Sequence, residues 1–137
     1  MIEQWLLIAG AAIFGLLGTA HLAYTFFTDN FDAFDGSVTD AMKSTSPRIS
    51  KETTMWKAWI GFNASHSVGA MSFSLLYITL ALKDFELVQS SLLLSAMPVA
   101  VSLVYLVLAR LYWFIVPFSG ILVATLCFAG SLILGGL

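Results

Sequence analysis

From Gln4 to Phe27 the chain passes through Trp5, Leu6, Leu7 and Ile8 to Thr25, Phe26 and Phe27 without one charged residue. A helix of that length, rising about 1.5 Å per residue, crosses the roughly 30 Å hydrocarbon layer of a bilayer. Inside hydrocarbon every backbone N–H and C=O must pair within the segment, so the run predicts a helix. Glu3 and the lack of a basic residue before the run, together with its length, point to a retained first span rather than a cleaved leader.

Residues 55–82 and 87–137 repeat the pattern, interrupted only by Lys57 and Arg110. The second of these stretches is too long for one crossing, and Arg110 with Tyr112 and Trp113 marks an interfacial turn within it. The expected spans are about 4–27, 55–82, 88–109 and 112–136. Lys83, Asp84 and Glu86 supply a short polar turn between the second and third. The fold class is therefore all-α, an antiparallel bundle of four transmembrane helices forming one membrane domain over 1–137. Pro98 falls in mid-span, where it removes a donor from the helix ladder, and Pro117 near a helix start, where that loss is better tolerated.

Five of the eight acids and three of the six bases lie in the 28–54 loop. Within it, Ser37 followed by Asp40 suggests a helix cap, with Val38, Ala41 and Met42 as an apolar stripe on the membrane surface. Asp29, Asp32 and Asp35, interleaved with Phe31 and Phe34, read as a solvated turn, because their spacing differs from that of a calcium loop. Ser50 or Thr53 is the expected cap of the second span. Lys43, Arg48, Lys51, Lys57 and Arg110 oppose Lys83 alone, which places both termini away from the cytoplasm.

Composition agrees. The chain is 59% hydrophobic and 10% charged, against about 25% charged in soluble domains. A net charge of -2 removes the basic surface that nucleic-acid binding needs, and the bilayer is the expected partner. The lone Cys127 supplies no dithiol chemistry. No span contains Asp or Glu, which removes the carboxylate of proton-coupled small multidrug transporters, and no Gly-x-Ser-x-Gly elbow is present.

Only two histidines exist, His21 and His66, and both fall inside expected spans at similar depth. Helical periodicity groups Phe14, Gly18, His21 and Thr25 on one face, and Trp59, Asn63, His66, Ala70 and Phe73 on another. The expectation is a small polar chamber formed by His21, His66, Asn63, Thr25 and Trp59, opening toward the loop and Arg110. Gly18 and Gly69 should let the helix backbones close beneath the imidazoles. Small residues at Ala11 and Gly15, at Gly61, Ser65 and Gly69, and at Gly120 and Ala124 predict close helix contacts, within the bundle or in a homo-oligomer.

An ionisable residue in a span marks function by default, although an imidazole hydrogen-bonded to Asn can equally serve as a polar lock between helices. Two facing imidazoles fit axial ligation of haem b in principle. The close helix approach and the lack of an Arg pair for propionates argue against it, which leaves the cofactor unassigned. Two histidines without a third ligand do not complete a metal site. A lipid-like or quinone-like ligand fits the donors and the aromatics Phe14, Trp59 and Phe62. The competing reading is an accessory subunit packed against a larger membrane complex. An enzyme using either histidine as acid or base would lack an identifiable nucleophile.

The segment Trp56-Lys57-Ala58-Trp59-Ile60-Gly61-Phe62-Asn63-Ala64-Ser65-His66-Ser67-Val68-Gly69, with Gly18-Thr19-Ala20-His21-Leu22, resembles a family of small uncharacterised four-helix bacterial membrane proteins. The resemblance covers most of the chain. It implies a bacterial, inner-membrane location and the four-span fold, and it brings no catalytic role.

Overall fold

The computed structural model describes residues 1–135, which form six helices: α1 (Ile2–Phe27), α2 (Gly36–Ser44), α3 (Met55–Lys83), α4 (Phe85–Ser90), α5 (Leu92–Tyr112) and α6 (Ile115–Leu134). Four of them, α1, α3, α5 and α6, are long and apolar enough to cross a membrane. The protein is an all-helical integral membrane protein of four-helix-bundle class. Outward side chains such as Leu16, Leu75, Val104 and Leu126 are exposed, as helices bathed in lipid require.

The helix starts show where side chains overrule the apolar pattern. Of the residues expected to form a polar turn, Lys83 ends α3, Asp84 caps α4 and Glu86 lies within α4, and the third long helix runs Leu92–Tyr112 rather than over 88–109. Asp84 Oδ1 accepts from Leu87 N at 3.0 Å and Ser91 Oγ from Leu94 N at 3.4 Å, so two N-caps in succession divide what the apolar residues alone would continue. The fourth begins at Ile115, after extended Trp113 and Phe114, and the expected end at Gly136 lies outside the described residues. Asp35, not Ser37, caps α2, accepting from Ser37 N at 2.9 Å and Ser37 Oγ at 2.7 Å. Thr54, one residue beyond the expected Thr53, caps α3 by accepting from Lys57 N at 3.2 Å.

Two compact units make up the chain, one of Met1–Leu17 with Ala70–Leu137 and the other of Gly18–Gly69. In the first, Leu7, Ala11 and Phe14 of α1 pack with Ala70, Tyr77 and Ala81 of α3 and with Ile121, Ala124 and Phe128 of α6. These spacings of three and four are the buried stripes of a helical bundle. Phe14 lies 5.3 Å from both Phe73 and Tyr105 and 5.8 Å from Phe128, between ring centroids. Gln4 Nε2 donates to Ala81 O at 2.8 Å.

Proline within α5 has a specific remedy in this unit. Pro98 cannot donate to the carbonyl four residues earlier, that of Leu94. Tyr77 Oη, on a side chain with 0% exposure, donates to that oxygen at 3.1 Å. A hydroxyl from α3 thus satisfies the acceptor that the proline orphans, as the hydrocarbon setting demands.

The small residues divide into two groups. A methyl added at Gly10 would fall 2.6 Å from the Phe128 ring, one at Gly15 2.5 Å from Ser74 Oγ, and one at Gly120 3.0 Å from Leu17, so these glycines permit close packing. Gly61 and Gly69, expected to do the same, have nothing within 4 Å. Asn63, Ser67, Ala70, Ser74 and Tyr77 form the buried face of α3, and a two-residue offset turns Gly61, Ser65 and Gly69 about 200° away from it.

Candidate functional site

The second unit consists of the end of α1, the connecting loop with α2, and the start of α3. Its loop is tied by backbone-directed bonds. Ala33 N donates to Oγ1 of the buried Thr39 at 3.0 Å, and Met55 N to Thr45 O at 2.8 Å. Trp59 Nε1 donates to Phe31 O at 3.2 Å, which fastens the segment after α1 to α3. Ser37, through its hydroxyl and then its N–H, holds the Asp35 carboxyl below the usual carboxylate range, favouring the charged cap.

The two imidazoles meet. His21 and His66 have ring centroids 5.3 Å apart and planes at 64°, an edge-to-face pair. Both residues are half-buried. His21 Nε2 lies 3.0 Å from Asn63 Oδ1, a link between α1 and α3. The Asn63 amide is itself aimed: Nδ2 donates to Trp59 O at 2.8 Å, and the side chain is buried at 7% exposure. Ser67 Oγ donates to Asn63 O at 3.0 Å, keeping a further buried hydroxyl satisfied.

Four of the six expected site residues, His21, His66, Asn63 and Trp59, therefore share one locality. Thr25 is buried at 6% exposure, but its hydroxyl donates to His21 O at 2.8 Å along its own helix. Its donor is spent on the backbone, a common outcome for Thr within a helix. Arg110 belongs to the other unit, exposed in the last turn of α5.

Other aromatic expectations change. Phe14 belongs to the core of the first unit and Phe62 points outward. Phe31, read from sequence as part of a solvated turn, instead sets its ring 4.6 Å from the His21 ring at 69°, with the Trp59 ring at 6.3 Å. Phe34 keeps the solvated reading. The one local signal for Phe31 was a partner with an N–H to give, Trp59, whose place on the histidine face of α3 was visible. Gly18 is buried as expected, whereas Gly69 faces open space, so close approach beneath the imidazoles does not involve both glycines.

Among the described residues no three His, Cys, Asp or Glu side chains cluster as a metal site. What the arrangement offers chemically is a pair of imidazoles with an aromatic wall. One ring is oriented by an amide, and both lie in the loop-side halves of long apolar helices. No known protein family, curated protein or solved structure matches this chain.

Proposed function

We propose that this is a small membrane-embedded binding protein whose His21–His66 pair receives the polar head of a lipid-like or quinone-like ligand. The supporting observation is the second imidazole. The His21–Asn63 bond links α1 and α3, and a second half-buried imidazole lies 5.3 Å from the first, so the site offers two ring edges to a polar head and not one. Phe31 and Trp59 add apolar walls suited to an amphiphile. The charge distribution supports an orientation with both termini outside the cytoplasm, and the resemblance noted above supports a bacterial inner membrane.

The test is a solvent extract of protein purified in lipid nanodiscs, read by mass spectrometry. Wild-type protein carries a defined amphiphile that His66→Ala loses by about tenfold or more, the scale of one lost polar contact. An unchanged extract from folded His66→Ala protein would reject the reading. A second reading, favoured by the His21–Asn63 bond itself, is an accessory subunit whose histidines only fix helix register. It predicts that His66→Ala lowers stability alone and that a larger membrane complex co-purifies.

A further inference from the structure

The hydrogen bonds around His21 determine which of its nitrogens is left for a ligand. A backbone carbonyl only accepts, so the Asn63 group 2.8 Å from Trp59 O must be the NH₂. Asn63 therefore turns its carbonyl oxygen to His21, and a carbonyl oxygen also only accepts. The His21 nitrogen facing it at 3.0 Å, Nε2, must then carry the hydrogen. In a neutral imidazole the other nitrogen, Nδ1, bears the lone pair. Asn63 reaches Nε2 alone, and the His21 side chain is only half-buried.

We propose that Asn63 is a positioning residue that fixes His21 as the Nε2–H tautomer, so that the site presents a bare Nδ1 and selects a ligand whose head donates a hydrogen bond. The inference rests on the binding role proposed above and narrows it. A hydroxylated amphiphile, either a quinol or a hydroxyl-bearing lipid, satisfies Nδ1. A quinone, whose head only accepts, sets one acceptor against another. The Trp59 carbonyl, Asn63 amide and His21 ring form one directed chain, in which each group's partner dictates the orientation of the next.

The chain contains two histidines, so ¹⁵N-histidine labelling gives two sets of ring resonances, and His66→Gln identifies those of His21. In lipid nanodiscs at alkaline pH, His21 of the wild-type protein should show a one-bond N–H coupling at Nε2 and an unprotonated Nδ1. Asn63→Leu should yield a mixture of tautomers, and Asn63→Asp, which keeps an acceptor, should retain the wild-type form. A wild-type Nδ1–H tautomer overturns the inference without any variant having to fold. Three probes then test selection: a decyl-benzoquinol, the matching decyl-benzoquinone and a diacylglycerol. The inference expects Nδ1 to respond to the quinol, the diacylglycerol or both, with about tenfold weaker binding of the quinone. A response to only one hydroxylated probe assigns the source of the hydroxyl. Quinone binding as tight as quinol overturns the inference while leaving a binding site in place. If no probe moves either histidine, the binding reading falls and the inference with it.

Discussion

Tyr77 donates its hydroxyl to Leu94 O at 3.1 Å, the carbonyl from which Pro98 withholds a helical partner. The bond joins α3 to α5 through a tyrosine side chain with 0% exposure. Tyr77→Phe should destabilise the protein by about 1–3 kcal/mol, the cost of an acceptor left unpaired. In a Pro98→Ala background an alanine N–H can return to Leu94 O, so the same substitution should cost clearly less. Reversible unfolding in mixed detergent measures both, and equal costs in the two backgrounds would contradict this role for Tyr77.

Glycines on opposite sides of the packing predict opposite outcomes. Gly10→Ala places a methyl 2.6 Å from Phe128, a ring held between Phe14 and Phe73, and should cost about 1–3 kcal/mol through overpacking. Gly69→Ala meets nothing within 4 Å and should be neutral or stabilise by up to about 1 kcal/mol through helix propensity. Thermal unfolding of the two variants side by side decides the matter.

Acid should loosen α2 first. Ser37 lowers the Asp35 pKa in the folded protein, so this carboxylate contributes stability that is fully present above its unfolded value near 3.9 and is lost as pH falls through the lower, folded value. Amide exchange at Ser37 and Val38 should accelerate over that window. Asp35→Ala should exchange fast at every pH, and a wild-type pH profile unchanged in that variant would rule out the cap as its origin.

How far the site could be read from sequence depended on the type of interaction. The long helices follow from uncharged runs, because hydrocarbon leaves helical pairing as the only outlet for the backbone. His21, Asn63, His66 and Trp59 came together on paper because helical periodicity is a local rule. The boundaries at Ser91 and Asp35 were set by single side-chain oxygens competing with the apolar pattern, which periodicity does not weigh. Phe31 was missed because a loop has no period. Its inward turn depends on a carbonyl meeting the Trp59 ring N–H, 28 residues away. The stripe Gly61, Ser65 and Gly69 looks outward and takes no part in packing within the chain, because small-residue spacing shows that a helix has a smooth face without saying which way it looks.

The link between α1 and α3 can be weighed by a double-mutant cycle. His21→Ala and Asn63→Ala should couple by about 0.6 kcal/mol and by no more than about 1.7, the range found for hydrogen bonds between membrane helices. Coupling near zero would show that the 3.0 Å contact does not join the helices in the bilayer.

The nearness of the two histidine rings is the most direct thing to measure. Solid-state NMR on protein with ¹³C-labelled histidine, diluted with unlabelled protein in lipid bilayers, should give a cross-peak between the two imidazoles, whose centroids are 5.3 Å apart. Two resolved ring systems with no cross-peak between them would contradict the account.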